Sequence, residues 1–324
     1  MIQPNRQKDI AKDLMMQIKR ESYIKECFHG DNQCSTPIIS AHSIQNNRIL
    51  NKMSKNGEVL YFCMNEKEGE RSFLQAPIGR KKATTFTGFC SKHDREIFIP
   101  IESFDYQERN KEQEFLFAYR ALAKEYHSRK QSIKLLQAAK GKLMYSNPQL
   151  DMCLEGSQCS LSEIERHRQL FNTALDNQEF DIIGTRVIAF QEEYHVAVSS
   201  VFTIEKDMNG KVVNDHSCFN VELKFFCFTI FPQNGKTFIL FSYLIKYKKY
   251  LNPVINYILK SKIKDRKIII SNLIAAYVEN VVLSPVRWEK MADSEKMAFQ
   301  NLFNKTLFTA GDELNQPKNI NLFV

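Results

Sequence analysis

Two pairs of cysteine and histidine residues in the first third of the chain have the types and spacing of metal ligands. Cys27 and Cys34 form the first pair, and Cys90 and His93 form the second, with a Cys-x2-His spacing. Thiolate and neutral imidazole bind Zn2+ tightly, and a structural zinc site takes four such ligands from two short loops. The sequence therefore predicts a zinc site in which the ion joins two loops and adds folding free energy to a small domain.

The alternative is that these cysteines are ordinary buried core residues, which is how free cysteines usually behave. The sequence around the two pairs is rich in turn-forming residues and poor in apolar ones, so burial explains them less well than metal binding. Three other cysteines, Cys63, Cys218 and Cys227, stand in apolar surroundings and are predicted to be core residues. We expect a structural role for Cys153 and Cys159 as well.

Asp94 directly follows His93 and is predicted to support the metal site without binding the ion. A metal-bound imidazole usually donates its second N–H group to a carboxylate or carbonyl oxygen. We therefore expect Asp94 to orient His93 or to cap a helix.

His42 lies between the two pairs, and the four residues above already satisfy a tetrahedral ion. Three interpretations remain open. His42 is a zinc ligand in place of Cys34 or another ligand, or a general base in catalysis, or a hydrogen-bonded structural histidine. Histidine is the most common general base in enzymes, because its pKa lies near neutral pH.

The order Cys…Cys…Ala-His…Asn…Cys-x2-His resembles that of HNH-type (ββα-metal) endonucleases. The resemblance implies a treble-clef zinc domain in which His42 ends the first strand and acts as general base on a water that attacks phosphate. It also implies that Asn46 or Asn47 positions water or backbone, and that Mg2+ or Mn2+ stabilises the developing charge. The chain departs from this pattern, because no second histidine follows at helical spacing and the insert at 48–86 is long.

Two longer segments, ISAHSIQ and TFTGFCSKHDREIFIPIE, are similar to segments of a group of bacterial proteins with the patterns SAHxIQ and GFCxxHDxxxFxPIE. This second resemblance is the more specific one and covers roughly residues 20–105. It implies little about function. By association, it implies a bacterial origin and a role in antiviral defence.

The organisation of the chain predicts an α+β fold in two domains. At 324 residues the chain is long for a single core. Residues 1–105 are predicted to form the small zinc-binding domain, and residues 106–324 an α+β domain. Val-, Ile- and Phe-rich stretches predict an antiparallel sheet over 181–245, with a hairpin turn at Asn234–Gly235.

Apolar residues at helical spacing predict helices before and after this sheet. Ser160 and Glu163 have the spacing of a capping box and predict a helix that begins there. The predicted helices with periodic apolar residues are 5–26, 108–144, about 249–260, 266–281 and 293–307.

Charge and hydropathy limit the partners. The chain has 45 Lys and Arg residues against 37 Asp and Glu residues, and a net charge of +8 is compatible with nucleic acid without requiring it. The basic residues of 108–144 are interpreted as a solvated helix face, with a nucleic-acid stripe as the alternative. We expect no membrane span, and a cytoplasmic location, because the N-terminus lacks the apolar core of a signal peptide.

Two functions follow from the sequence. The first is a zinc-containing protein that acts on nucleic acid as an HNH-like, metal-dependent endonuclease. The second is a non-catalytic, zinc-stabilised module that binds nucleic acid or protein. The apolar helix at 266–281 is expected in the core, and an interface with a protein partner or a second copy is its alternative.

Overall fold

Nine antiparallel strands in two sheets, surrounded by ten helices, make the chain an α+β protein. A computed structural model describes residues 4–35, 37–67, 70–142, 148–216, 221–306 and 318–324, and all counts refer to these. The predicted fold class is therefore confirmed at the level of α+β with antiparallel sheets.

The bounds of the elements are as follows. Helices α1 to α10 comprise Pro4–Ser22, Asn51–Met53, Ser91–Ile97, Ile99–Glu102, Lys111–Lys142, Pro148–Asp176, Lys248–Lys260, Ile263–Tyr277, Pro285–Lys290 and Asp293–Thr306. Strands β1 to β9 comprise Ile38–His42, Glu58–Lys67, Glu70–Gly79, Thr85–Cys90, Ile183–Phe190, Val196–Thr203, Phe225–Gln233, Lys236–Leu244 and Val281–Leu283. A π-helical turn at Asn46–Leu50 precedes α2.

The smaller sheet is the pair β1 and β4, and it leads directly into helix α3. Ile38 pairs with Cys90 at one end of this ribbon, and His42 pairs with Thr85 at the other. Because a strand rises about 3.3 Å per residue, His42 lies roughly 13 Å along the strand from Cys90. The two ends of the ribbon can therefore carry separate chemistry.

The larger sheet has seven strands in the order β3-β2-β9-β6-β7-β8-β5. Four of these strands lie within the predicted range 181–245. The hairpin turn predicted at Asn234–Gly235 joins β7 to β8, and φ is positive at both residues. The insert at 48–86 supplies β2 and β3, and Leu60 of β2 pairs with Leu283 of β9. The domain division at residue 105 stays a prediction.

Helix α5 connects the two sheets. It contacts β4 on one side and β6 and β7 on the other. Phe115, Tyr119 and Leu122 are at most 1% exposed on its inner face. Burying one such side chain contributes about 1.5–3 kcal/mol, so α5 holds the short ribbon firmly against the rest of the chain.

Two predicted helices begin and end elsewhere in the structure. Helix α6 begins at Pro148, and Ser160 lies inside it. The predicted capping box at Ser160 and Glu163 is therefore wrong. The Glu163 carboxylate instead accepts a hydrogen bond from the Leu223 amide at 2.7 Å. Proline favours the first turn of a helix because that turn needs no N–H donor. Helix α8 ends at Tyr277, and the buried residues that follow form strand β9.

Helix α8 lies in the core, with Ile270, Leu273 and Ile274 fully buried. Among the described residues, no helix combines the length and apolar character needed to cross a membrane.

Candidate metal centre

The four predicted ligands meet at one point. The sulfur atoms of Cys27, Cys34 and Cys90 and a ring nitrogen of His93 all lie within 4.8 Å of one another. Nδ1 of His93 is 3.4 Å from Sγ of Cys27 and 3.6 Å from Sγ of Cys34. Ligands of a tetrahedral ion with bonds of about 2.0–2.3 Å lie roughly 3.5–3.8 Å apart, so the cluster has the size of such a site. The prediction of a Cys/His group that could hold a metal ion is confirmed.

The second ligand pair is positioned by the junction of a strand and a helix. Cys90 ends β4 and is the N-cap of α3, where its sulfur accepts a hydrogen bond from the His93 amide at 3.4 Å. Residues three apart in a helix lie on one face, so the His93 ring returns to the Cys90 sulfur. Ser35 fixes the same turn, since its hydroxyl accepts a hydrogen bond from the Lys92 amide at 3.0 Å.

The first ligand pair is carried by the loop between α1 and β1, and this loop is anchored on two sides. The Phe28 amide donates to the Gly88 carbonyl of β4 at 2.8 Å. On the other side, Arg168 of α6 donates to the Phe28 carbonyl at 2.6 Å, and Asn172 donates to the His29 carbonyl at 2.9 Å. The loop conformation is thus fixed by contacts that do not depend on the ion.

Gly30 is required in this loop. Its φ is +66°, in the left-handed region, and an added Cβ would lie 2.4 Å from Nη2 of Arg168. Side chains other than glycine are strained at such φ values. The tight turn between Cys27 and Cys34 therefore depends on glycine.

Asp31, rather than Asp94, supports His93. The Nε2 atom of His93 lies 3.3 Å from Oδ1 of Asp31, and Oδ1 also accepts a hydrogen bond from the Gln33 amide at 2.8 Å. A carboxylate on the far nitrogen of a metal-binding imidazole fixes the tautomer and increases its basicity. Asp31 was not predicted from the sequence, although its position between Cys27 and Cys34 was a usable signal.

Asp94 faces another part of the protein, so its predicted role beside His93 is not the one found. Adjacent helical residues point about 100° apart, which turns Asp94 away from the cluster. Burial raises the pKa of the Asp94 carboxyl, and the Arg120 guanidinium partly offsets this.

Negative charge on one of the clustered sulfur atoms opposes the ionisation of its neighbours. Partial burial and the neighbouring Cys27 raise the pKa of Cys34 to about 12. Burial opposes ionisation of Cys90 too, but hydrogen bonds from the His93 amide and Ser35 outweigh it and lower the pKa of Cys90 to about 7. Three clustered sulfur ligands can all ionise only when a cation compensates their charge.

His42 lies outside this cluster, at the opposite end of the β1–β4 ribbon. The structure thus does not contain the arrangement in which His42 replaces Cys34 as a ligand. The ring is half-buried, and its Nε2 lies 3.4 Å from the Arg80 carbonyl oxygen. Burial lowers the pKa of His42, so the imidazole is neutral at pH 7.

Asn46 is connected to His42 by Arg80, which contacts both residues. Its side-chain oxygen accepts a hydrogen bond from Nη1 of Arg80 at 2.8 Å. Asn46 therefore orients the residue whose carbonyl group faces the His42 ring. Asn47 is exposed beside it and accepts a hydrogen bond from Asn46 at 3.2 Å.

The segments ISAHSIQ and TFTGFCSKHDREIFIPIE meet in space at this end of the ribbon. Gln45, the last residue of SAHSIQ, donates to the Glu102 carbonyl at 2.7 Å, and Glu102 ends the PIE sequence. The Glu102 carboxylate accepts from the buried Arg120 at 2.6 Å, and that guanidinium lies 4.0 Å from the Phe98 ring centre. Gln45, Glu102 and Arg120 thus form a single hydrogen-bonded group.

Three further cysteines are described, and none of them belongs to the cluster. Cys227 is buried in the core, as predicted, whereas Cys153 and Cys159 are exposed on α6. The side chain of Cys63, and Cys218 as a whole, lie outside the described residues.

Most basic residues of α5 are paired with acidic groups, which favours a solvated helix face over a nucleic-acid stripe. The pairs are Lys111–Asp181, Arg120–Glu102, Arg129–Glu125, Lys130–Glu26, Lys140–Asp151 and Lys142–Glu21.

Comparisons with protein-family models, with curated proteins and with solved structures give no significant match.

Proposed function

We propose that the protein is a zinc-stabilised protein that acts on nucleic acid, with His42 as the general base of phosphodiester hydrolysis. The observation that supports this proposal is the layout of the β1–β4 ribbon. Its Cys90 end closes the cysteine and histidine cluster, and its other end presents a half-buried, neutral His42. A treble clef, which the HNH resemblance implies, would place a ligand loop, a ribbon and a helix in this order.

Zn2+ is the ion best suited to the cluster. Three sulfur ligands and one imidazole are a common structural set for zinc and leave no open position for a substrate. The residues fit the ion, since the four ligand atoms lie within 4.8 Å of one another. Bound there, the ion would supply folding free energy by joining the loop at Cys27 to the start of α3.

His42 would do the chemistry through its ring nitrogens. A neutral imidazole can take a proton from a water molecule as that water attacks phosphorus and the bond from phosphorus to one sugar oxygen breaks; the departing sugar oxygen then takes a proton from solvent. Arg80, held by Asn46, and Arg120 are the cationic groups whose charges reach the ring, but Arg120 is buried and paired with Glu102. Arg80 would favour the approach of a phosphate group and the increase of its negative charge.

Mg2+ or Mn2+ has less support in this chain. Among the described residues, no group of three His, Cys, Asp or Glu ligand atoms meets at His42, and Glu102 is already paired with Arg120. The residues present do not form a ligand set for such an ion.

That same observation favours the second candidate, a non-catalytic module. In this case the zinc cluster and the Gln45–Glu102–Arg120 group serve only to shape a surface that binds nucleic acid or protein. His42 is then a structural histidine that holds the loop at Arg80.

A cleavage assay separates the two candidates. Purified wild-type protein, the His42→Ala variant and a His195→Ala control are incubated with DNA and RNA in the presence of Mg2+ or Mn2+, and zinc content is measured for each. His195 is a matched control because it is also half-buried and also has a pKa lowered by burial. Loss of cleavage in His42→Ala alone, with zinc retained, supports the base. Absence of cleavage in all three zinc-loaded proteins contradicts it.

A further inference from the structure

The positive charge of the chain is concentrated in one segment. Residues 223–264 contain eight lysines and no acidic residue. The other 37 basic residues of the chain are balanced by its 37 acidic residues, so this segment carries the whole formal charge of +8. A concentrated patch attracts polyanions far more strongly than the same charge spread over a surface.

Helix α7 and its flanking turns display most of this charge. The helix has two sharply different faces, because Leu251, Val254, Ile255 and Ile258 are at most 1% exposed and pack into the core. The exposed lysines of the segment are Lys246, Lys248, Lys249, Lys260, Lys262 and Lys264. At about 100° per residue, Lys249 and Lys260 lie on the same outer face of the helix.

Two tyrosines lie on the same exposed side. Tyr250 is 39% exposed and Tyr257 is 43% exposed. They are seven residues apart, which places them on one edge of the helix and roughly 10 Å apart along its axis. The Nζ atoms of Lys249 and Lys224 lie 4.8 Å and 5.1 Å from the Tyr250 ring centre, so cations flank an aromatic platform.

Helix stability does not explain this composition. Lysines in a first helical turn are unfavourable, because the backbone dipole makes that end positive, and Lys248 and Lys249 occupy the first turn of α7. The acidic residues that border the segment are Glu222, which pairs with Lys246 at 2.6 Å, and Asp265. Most of the charge is left for a partner.

We propose that the α7 surface, comprising Lys246, Lys248, Lys249, Tyr250, Tyr257 and Lys260, binds single-stranded nucleic acid. The lysines contact phosphates, and the two tyrosines stack on bases, which only an unpaired strand exposes. This inference deepens the proposed function by naming the surface that holds its substrate. An anionic membrane is disfavoured, because the apolar face of α7 is already buried in the core.

The test is a binding titration with fluorescein-labelled single-stranded DNA, single-stranded RNA and duplex DNA, read by anisotropy at several salt concentrations. All proteins are full-length, zinc-loaded, carry His42→Ala and are measured without added Mg2+ or Mn2+, so that cleavage plays no part. The variants are Lys249→Glu with Lys260→Glu, and Tyr250→Ala with Tyr257→Ala. Lys211→Glu with Lys290→Glu is the matched control, since it changes the net charge equally at two exposed lysines elsewhere.

The lysine variant is expected to bind every probe at least about tenfold more weakly and to show a smaller salt dependence. The tyrosine variant is expected to lose affinity for single strands while keeping its affinity for duplex. The control variant keeps both. Circular dichroism confirms that each protein is folded.

Two results would overturn the inference: no binding to any probe at low salt, or equal weakening in the control variant. The proposed function fails separately. If single strands bind through α7 but protein with an intact His42 cleaves nothing, the catalytic proposal is contradicted and the α7 surface is not. If the α7 substitutions leave cleavage unchanged, the α7 surface is contradicted and the catalytic proposal is not.

Discussion

Nε2 of His93 lies 3.3 Å from Oδ1 of Asp31, while Nδ1 of the same ring faces the sulfur atoms of Cys27 and Cys34. The imidazole thus has one nitrogen for the ion and one for a carboxylate from the ligand loop itself. This arrangement links the geometry of the Cys27–Cys34 loop to the orientation of a ligand on helix α3. The loop and the helix are therefore expected to order together.

The first prediction concerns this pair. Asp31→Asn should lower zinc affinity by about 10–100-fold, because the amide cannot orient His93 or increase its basicity as a carboxylate does. The measurement is competition with a chromophoric chelator. Asp94→Asn is the control and should leave affinity unchanged, since the charges that act on the Asp94 carboxyl are those of Arg120 and Glu102 and not that of His93. A larger effect of Asp94→Asn than of Asp31→Asn would contradict the assignment.

The outcome for these two aspartates shows what the sequence can and cannot predict about the site. Cys27, Cys34, Cys90 and His93 could be identified because each ligand pair is local and its spacing is visible. The carboxylate could not be chosen by adjacency, since Asp94 is nearest to His93 in sequence but turned away by the helix. Which carboxylate approaches His93 depends instead on how the loop that carries Asp31 folds over α3.

Long-range pairing limited the fold prediction in the same way. The hairpin turn at Asn234–Gly235 has a local signal and was found. The pairing of Leu60 with Leu283 joins residues far apart in sequence, and nothing in either segment indicates its partner. The predicted helix 266–281 therefore ran on to Val281, the first residue of strand β9, because a brief buried apolar run fits either structure.

The second prediction concerns Gly30. Gly30→Ala should destabilise the protein by about 1–2 kcal/mol more than Gly57→Ala, measured by chemical denaturation. Both glycines have a left-handed φ, but only at Gly30 does an added Cβ meet a neighbour, the Arg168 guanidinium. Arg168 cannot easily move, because it also donates to the Phe28 carbonyl. Equal destabilisation by the two changes would show that the contact is not tight.

The third prediction concerns stability at low pH. Burial lowers the pKa of His127 to about 4, and Nδ1 of this ring has no hydrogen-bond partner in the described structure. Because the unfolded chain binds this proton with a pKa of about 6.5, the free energy of unfolding is unaffected above that pH and falls below it, until about pH 4. The contribution lost at about pH 5 is on the order of 2 kcal/mol.

His127→Gln provides the comparison, since glutamine keeps a donor toward the Ile24 carbonyl but does not titrate. Denaturation curves at neutral pH and at about pH 5 should show a smaller loss for the variant than for wild type. An identical loss in both proteins would mean that His127 is not the responsible group.

The fourth prediction follows from the proposed role of His42. If His42 is the base, kcat/KM should fall only when the pH drops below about 6.5, because burial lowers the pKa of this imidazole and activity requires its neutral form. The measurement is a pH–rate profile for cleavage of a labelled oligonucleotide. An acidic limb centred above pH 7 would exclude His42 as the titrating base.

The most direct test of the central claim is zinc K-edge X-ray absorption of the purified protein, with the metal content measured on the same sample. We predict about one zinc per chain, bound by three sulfur atoms at about 2.3 Å and one nitrogen at about 2.0 Å. The spectrum of His42→Ala should be identical, because His42 lies at the other end of the ribbon. A protein that holds no zinc, or a coordination shell that changes in His42→Ala, would contradict the account.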